Sequence, residues 1–172
     1  EELDGFPILK GSEVDILQDG SLDYDDEVLE ELDLVIAAVH DHFTLGEAEQ
    51  TERMCRAAGH PLVDIIAHPT GRLIGDREPY AVDMDAVIEA CAENDVALEL
   101  NASPDRLDMN DIHCRRAKDA GVMVAIGTDS HAVSHLDWLQ FGILTARRGW
   151  LEPENILNAR PLDDMREFLH GG

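Results

Sequence analysis

Lysine is nearly absent. Lys10 and Lys118 are the only two, and 13 lysines and arginines face 37 aspartates and glutamates, a formal net charge of −24. Such a surface repels a phosphate backbone at low salt, which argues against a general nucleic-acid groove. It fits a salt-rich, halophilic cytoplasm, where counterions screen the self-repulsion. Cysteine is also scarce. Cys55, Cys91 and Cys114 are odd in number, far apart and without a CxxC pair. That pattern argues against disulfides or a cysteine zinc site and for free thiols in a reducing cytoplasmic compartment. No apolar run of spanning length and no signal peptide is present, so no membrane association is expected. Short-period repeats and low-complexity linkers are lacking too. At 172 residues, starting on Glu1 rather than Met, the chain reads as a single-domain fragment, 1–172, of something larger.

What is present is alternation. "VDIL" (14–17), "LVIAAV" (34–39), "VDIIA" (63–67), "VALEL" (96–100) and "VMVAI" (122–126) read as short strands buried on both faces. Helix-period segments fall between them, at 24–32, 46–59, 82–95 and 109–121, and another follows at 135–149. Asp83 and Asn110 stand as N-caps, and Gly59 and Gly121 as stops. Two short helices begin near Pro153 and Pro161. Strand and helix alternating with short connections means parallel pairing through right-handed crossovers. About five such strands make either an open doubly wound sheet or most of a barrel.

The polar residues recur at one kind of place. His40 ends "VIAAVH", His68 ends "DIIAHP", Asn101 follows "LEL", and Asp129 and His131 follow the last strand in "GTDSH". Glu13, in "GSEVDI", joins the same rim if the first strand is drawn as 6–14, the preferred boundary. Carboxyl ends of parallel strands open on one face, so these side chains converge. Neutral imidazole suits Zn, Mn or Fe, and a carboxylate can bridge two cations. A metal cluster is therefore expected. His42, His60, His113, His135 and His170 are not assigned to it, because capping, helix and tail positions account for them.

"GSEVDIL", "VIAAVH", "IIAHPTGRL", "LELNASPDRLD", "GTDSH" and "ARRGWL", in this order, resemble the PHP (polymerase and histidinol phosphatase) superfamily. "AHPTGR", "NASPDRLD" and "ARRGWL" bring the resemblance closest to the C-terminal PHP domain of family X DNA polymerases, over roughly residues 8–168. The resemblance implies a distorted (β/α)7 TIM-like barrel with up to three Zn or Mn ions at its carboxyl rim. It implies phosphoester hydrolysis, linked in those polymerases to 3′→5′ exonuclease and DNA 3′-end processing. By the same likeness Glu13 bridges two metals, His40 and His68 complete one site, Asp129 serves the second metal and His131 the third. The family's leading H-x-H is missing here, as are the acid and histidine that follow it. The barrel is then partial, lacking its first strands, with an edge open to self-association or to the rest of the parent chain.

Hydrolysis by a metal-bound water needs no protein nucleophile, and none stands out. Arg72 in "HPTGR", Arg106 in "SPDRLD" and Asn101 are the expected substrate contacts, and Arg147–Arg148 are candidates for the DNA backbone. The implied partners are DNA 3′ ends or another phosphoester, and a polymerase core in cis. Two rival readings stand beside this one: a small-molecule metallohydrolase of the histidinol-phosphatase or amidohydrolase kind, and an inactive structural module.

Overall fold

A computed structural model describes residues 7–169. Five strands carry the fold: β1 (Gly11–Asp15), β2 (Leu34–Ala38), β3 (Ile65–Ile66), β4 (Ala97–Asn101) and β5 (Val124–Gly127). Between them lie α1 (Asp26–Leu29), α2 (Glu47–Ala58), α3 (Met84–Glu93) and α4 (Asp111–Asp119). A 3₁₀ turn (Val133–Trp138) then leads into α5 (Leu139–Arg148), two more 3₁₀ turns (Pro153–Asn155, Leu157–Ala159) and α6 (Leu162–Phe168).

The strands are parallel and lie in chain order, β1-β2-β3-β4-β5. A doubly wound sheet reverses direction at a switch point, whereas an arc of a barrel does not. This sheet is the arc, the partial (β/α) barrel expected, and it does not close among the described residues. Constant direction places every crossover helix on one side. Met54 and Ala57 of α2, Val87 and Cys91 of α3, Cys114 and Ala117 of α4 and Ala146 of α5 share one core with Val14, Val35, Ile66, Leu98 and Ile126. The alternate strand residues Ile65, Ala97 and Ala125 face the opposite, concave side. There they meet Leu157, with Met165 and Phe168 of α6 packed against them.

Local chemistry sets the helix ends. Asp83 caps α3 by accepting from the Asp85 and Ala86 amides at 3.0 and 3.2 Å, and Asn110 caps α4 by accepting from the His113 amide at 2.9 Å. Gly121 stops α4 with φ of 82°, a conformation that costs glycine little. The first helix is far shorter than the 24–32 expected. Acids crowd both of its ends, and Glu30 and Glu31 at the C-terminus oppose the helix dipole. The 135–149 segment opens as the 3₁₀ turn before α5 begins. In β3 only Ile65 and Ile66 ladder with both neighbours, because the Asp64 carboxylate accepts from the Val35 amide at 2.7 Å. The three cysteines are free, with Cys91 and Cys114 buried. No helix is long and apolar enough to cross a membrane among the described residues.

Candidate metal centre

Strand alternation builds the site. Val14 and Ile16 point into the helix-side core, so Glu13 and Asp15 point to the concave side, where both are exposed. Glu13 thus lies within β1 rather than at the end of a 6–14 strand, the boundary expected from sequence. His40 stands two residues beyond β2, and His68 two residues beyond β3. Its glutamate and two histidines converge. Glu13 Oε1 lies 2.8 Å from His40 Nε2 and 3.2 Å from His68 Nε2, and the two rings meet edge-on with centroids 5.4 Å apart. One ligand atom from each of the three falls within 4.8 Å of the others, a grouping able to hold a metal ion.

The donor set fits a divalent cation. Two imidazole nitrogens and a carboxylate oxygen suit Zn or Mn, and a tetrahedron with bonds of about 2.0 Å has edges of about 3.3 Å, close to the separations found. Glu13 is held well below the usual carboxylate range by the hydrogen bond from His40 and then that from His68, against the cost of burial. His40 is pushed up to about 9, mainly by Glu13 and then Asp15. A raised imidazole pKa stabilises the fold fully below about 6.5 and loses that contribution as pH climbs through 9. Metal-free protein is therefore expected to lose thermal stability between those two pH values. His40→Ala flattens that slope, and a slope unchanged by the substitution would count against the pairing.

Two supports hold the imidazoles in place. Arg53, with a fully buried side chain, donates to the backbone carbonyls of Leu17 (2.8 Å), Asp41 (3.0 Å) and Ile16, and to the Asp41 carboxylate (2.7 Å). It clamps the corner that carries His40. The Glu99 carboxylate accepts from the His68 amide at 2.8 Å, where His68 has φ of 28°. Burial pushes Glu99 up to about 7, opposed by His68. A Cβ at Gly127 would collide with this carboxylate, so the glycine in "IGTDSH" makes room for it. Below Glu99 lies an apolar cavity of about 190 Å³ between Leu34, Ile36, Ile65, Ala125 and Leu157. Asp15 and Glu99 were both missed by the sequence reading. The i, i+2 acids of "EVD" and a lone glutamate inside the apolar run "VALEL" were the available signals.

The remaining expected residues do not join this group. Asp129, with φ of 50°, turns its carboxylate to Arg106 Nε at 3.6 Å, and the His131 ring, 79% exposed, bonds the Asp129 carbonyl through Nδ1 at 2.8 Å. Both stay outside the three-residue group, so the five-ligand convergence expected is not drawn together here. Arg106 stands at the rim, with Nη1 buried and unpartnered. Arg72 differs from the expected phosphate contact: its Nε and Nη2 donate to the carbonyls of Arg106 (2.7 Å) and Leu107. It braces that turn and lines a separate cavity of about 320 Å³ with Thr70, His113 and Arg116. Asn101 also departs from its expected substrate role. It is fully buried, its Oδ1 accepting from the Ser103 amide at 3.0 Å. His60 pairs with Asp26, His135 stacks on Trp138 and Arg148 pairs with Asp111. His42 pairs with Asp41, and His113 lies within α4. His170 lies outside the described residues.

An arc of parallel strands, with a carboxylate from within β1 and two imidazoles from just beyond β2 and β3 brought together, defines an α/β-barrel domain with a candidate metal site. No family model matches the chain. It is 49% identical to the DNA polymerase/3'-5' exonuclease PolX of Bacillus subtilis over 98% of its own length, but spans only 30% of that protein. It is 34% identical to a probable phosphatase of Caldanaerobacter subterraneus subsp. tengcongensis, covering 98% of this chain and 68% of that one. The probable phosphatase YcdX of Escherichia coli O139:H28 is also 34% identical, over 92% of this chain and 66% of its own. The chain belongs to the PHP family.

Proposed function

We propose that this is the metal-dependent phosphoesterase domain of a family X DNA polymerase, acting at DNA 3′ ends. The convergence of Glu13 with the Nε2 atoms of His40 and His68 carries the reading. A divalent cation held there supplies a Lewis acid that binds phosphoryl oxygen and lowers the pKa of bound water. Asp129 and His131, on the neighbouring loop, serve further cations. Arg106 pairs with Asp129 in the resting site and turns its free guanidinium nitrogens to the phosphoryl group on binding, a charge-assisted contact. The polymerase core acts in cis and brings the 3′ end to this rim, because the domain's own charge of −24 disfavours capturing DNA alone. The edge of β1, which pairs only with β2 among the described residues, is where self-association or the rest of the parent chain attaches.

A second reading, a phosphatase for small phosphomonoesters, draws on the probable phosphatases that align over nearly the whole chain. The complete parent protein separates the two. His40→Ala and Asp129→Ala are expected to abolish release of nucleotides from a 3′-ended oligonucleotide while leaving nucleotide addition largely intact. Wild-type hydrolysis of a nitrophenyl phosphate without any of the oligonucleotide favours the second reading. Unchanged nuclease activity in both variants removes the site assignment.

A further inference from the structure

His40 and His68 face the same carboxylate oxygen, yet they are held there by different means. His68 is 1% exposed and walled in by the core, and its Nδ1 has no partner. His40 has a side chain 40% exposed, so packing does not fix its ring. Its second nitrogen is bound instead: Nδ1 lies 2.5 Å from Asp15 Oδ1.

The strand register explains why the two acids and the ring fit. β1 pairs with β2 so that Glu13 faces Ile36 and Asp15 faces Ala38. His40, two residues further on, must lean back along the strand to reach Glu13, and it passes Asp15 on the way. In an imidazole Nδ1 lies beside the stem and Nε2 at the tip. The near nitrogen therefore meets Asp15 and the far one meets Glu13. Residues i and i+2 of a parallel strand are separated by about 6.6 Å, enough for a five-membered ring to stand between their carboxylates.

We propose that Asp15 is the positioning residue of the metal centre. By accepting a proton-bearing Nδ1 it selects the His40 tautomer whose Nε2 lone pair faces the cation site, and it fixes the plane of an otherwise loosely held ring. This is the outer-shell arrangement that raises a ligating histidine's basicity. The proposal rests on Glu13, His40 and His68 holding a cation, and it goes beyond that by assigning the tautomer to one residue that touches no metal.

The test measures zinc affinity of the full-length protein by competition with a chromophoric chelator, alongside ¹⁵N shifts of the His40 ring in the zinc-loaded state. Asp15→Ala is expected to weaken zinc binding about 10- to 100-fold. Asp15→Asn keeps an acceptor oxygen in place and is expected to restore most of it. In a His40→Ala background, Asp15→Ala is expected to add nothing, because the two residues act as one unit. Wild-type affinity in Asp15→Ala, or an equal loss with and without His40, overturns the proposal. Failure of the wild-type protein to bind zinc instead overturns the metal-site reading beneath it. Half-exposed Asp15 tolerates these changes, and a thermal melt of each variant verifies that the fold is kept.

Discussion

Glu13→Gln is expected to lower divalent-metal affinity by at least about 100-fold and to abolish phosphoester hydrolysis in the parent protein. The reasoning is geometric. One oxygen of Glu13 faces both Nε2 atoms, so no other residue of the group could take its place. The amide keeps the side chain's size, which rules out a packing explanation. It removes the negative charge that offsets the cation and leaves two imidazoles, a weaker and less selective pair of ligands. Titration with zinc or manganese followed by calorimetry gives the affinity, and treatment of the wild type with a chelator is expected to reproduce the loss of activity. Affinity within about threefold of wild type would show that the cation sits elsewhere.

Arg53→Met has the largest expected effect on stability, a loss of about 3–5 kcal/mol. Methionine fills much of the volume but donates nothing. The carbonyls of Ile16, Leu17 and Asp41 would stay in place without their donor, and buried acceptors left bare are costly. The Asp41 carboxylate is largely exposed and recovers water, so the carbonyls account for most of the loss. Urea unfolding followed by circular dichroism measures it. Because the same guanidinium ties the end of β1 to the corner after β2, metal affinity should fall along with stability. A loss below 1 kcal/mol would mean that water replaces the guanidinium at this corner.

Strands β2 to β5 were legible because each carries a short apolar run with little exposure, whereas β1 (Gly11–Asp15) was caught only at its end by "VDIL", since its Glu13 and Asp15 are exposed. Their order was not, since periodicity is blind to whether crossovers keep or reverse direction; the sequential register decides for the barrel arc. His40 and His68 could be placed because each directly follows such a run. Asp129 and His131 were expected beside them, but Asp129, at positive φ, turns its carboxylate to Arg106, and neither residue joins the three-residue group. Arg72 and Asn101 show a different limit. Both look like substrate contacts from their neighbours in the chain, yet both satisfy backbone groups of the turn at 101–108, and only coordinates reveal which carbonyls and amides lack partners. Asp15 was hidden by its ordinary appearance as one more acid in an acidic chain.

The greasy layer beneath Glu99 has a consequence for traffic. Leu34, Ile36, Ile65 and Ala125, with Met165 and Phe168 of α6 packed on that side, make the floor under the candidate site largely apolar among the described residues. For the proposed nuclease, such a floor would route solvent and leaving groups toward the same open rim that takes the 3′ end, so departure of a cleaved nucleotide would compete with arrival of the next.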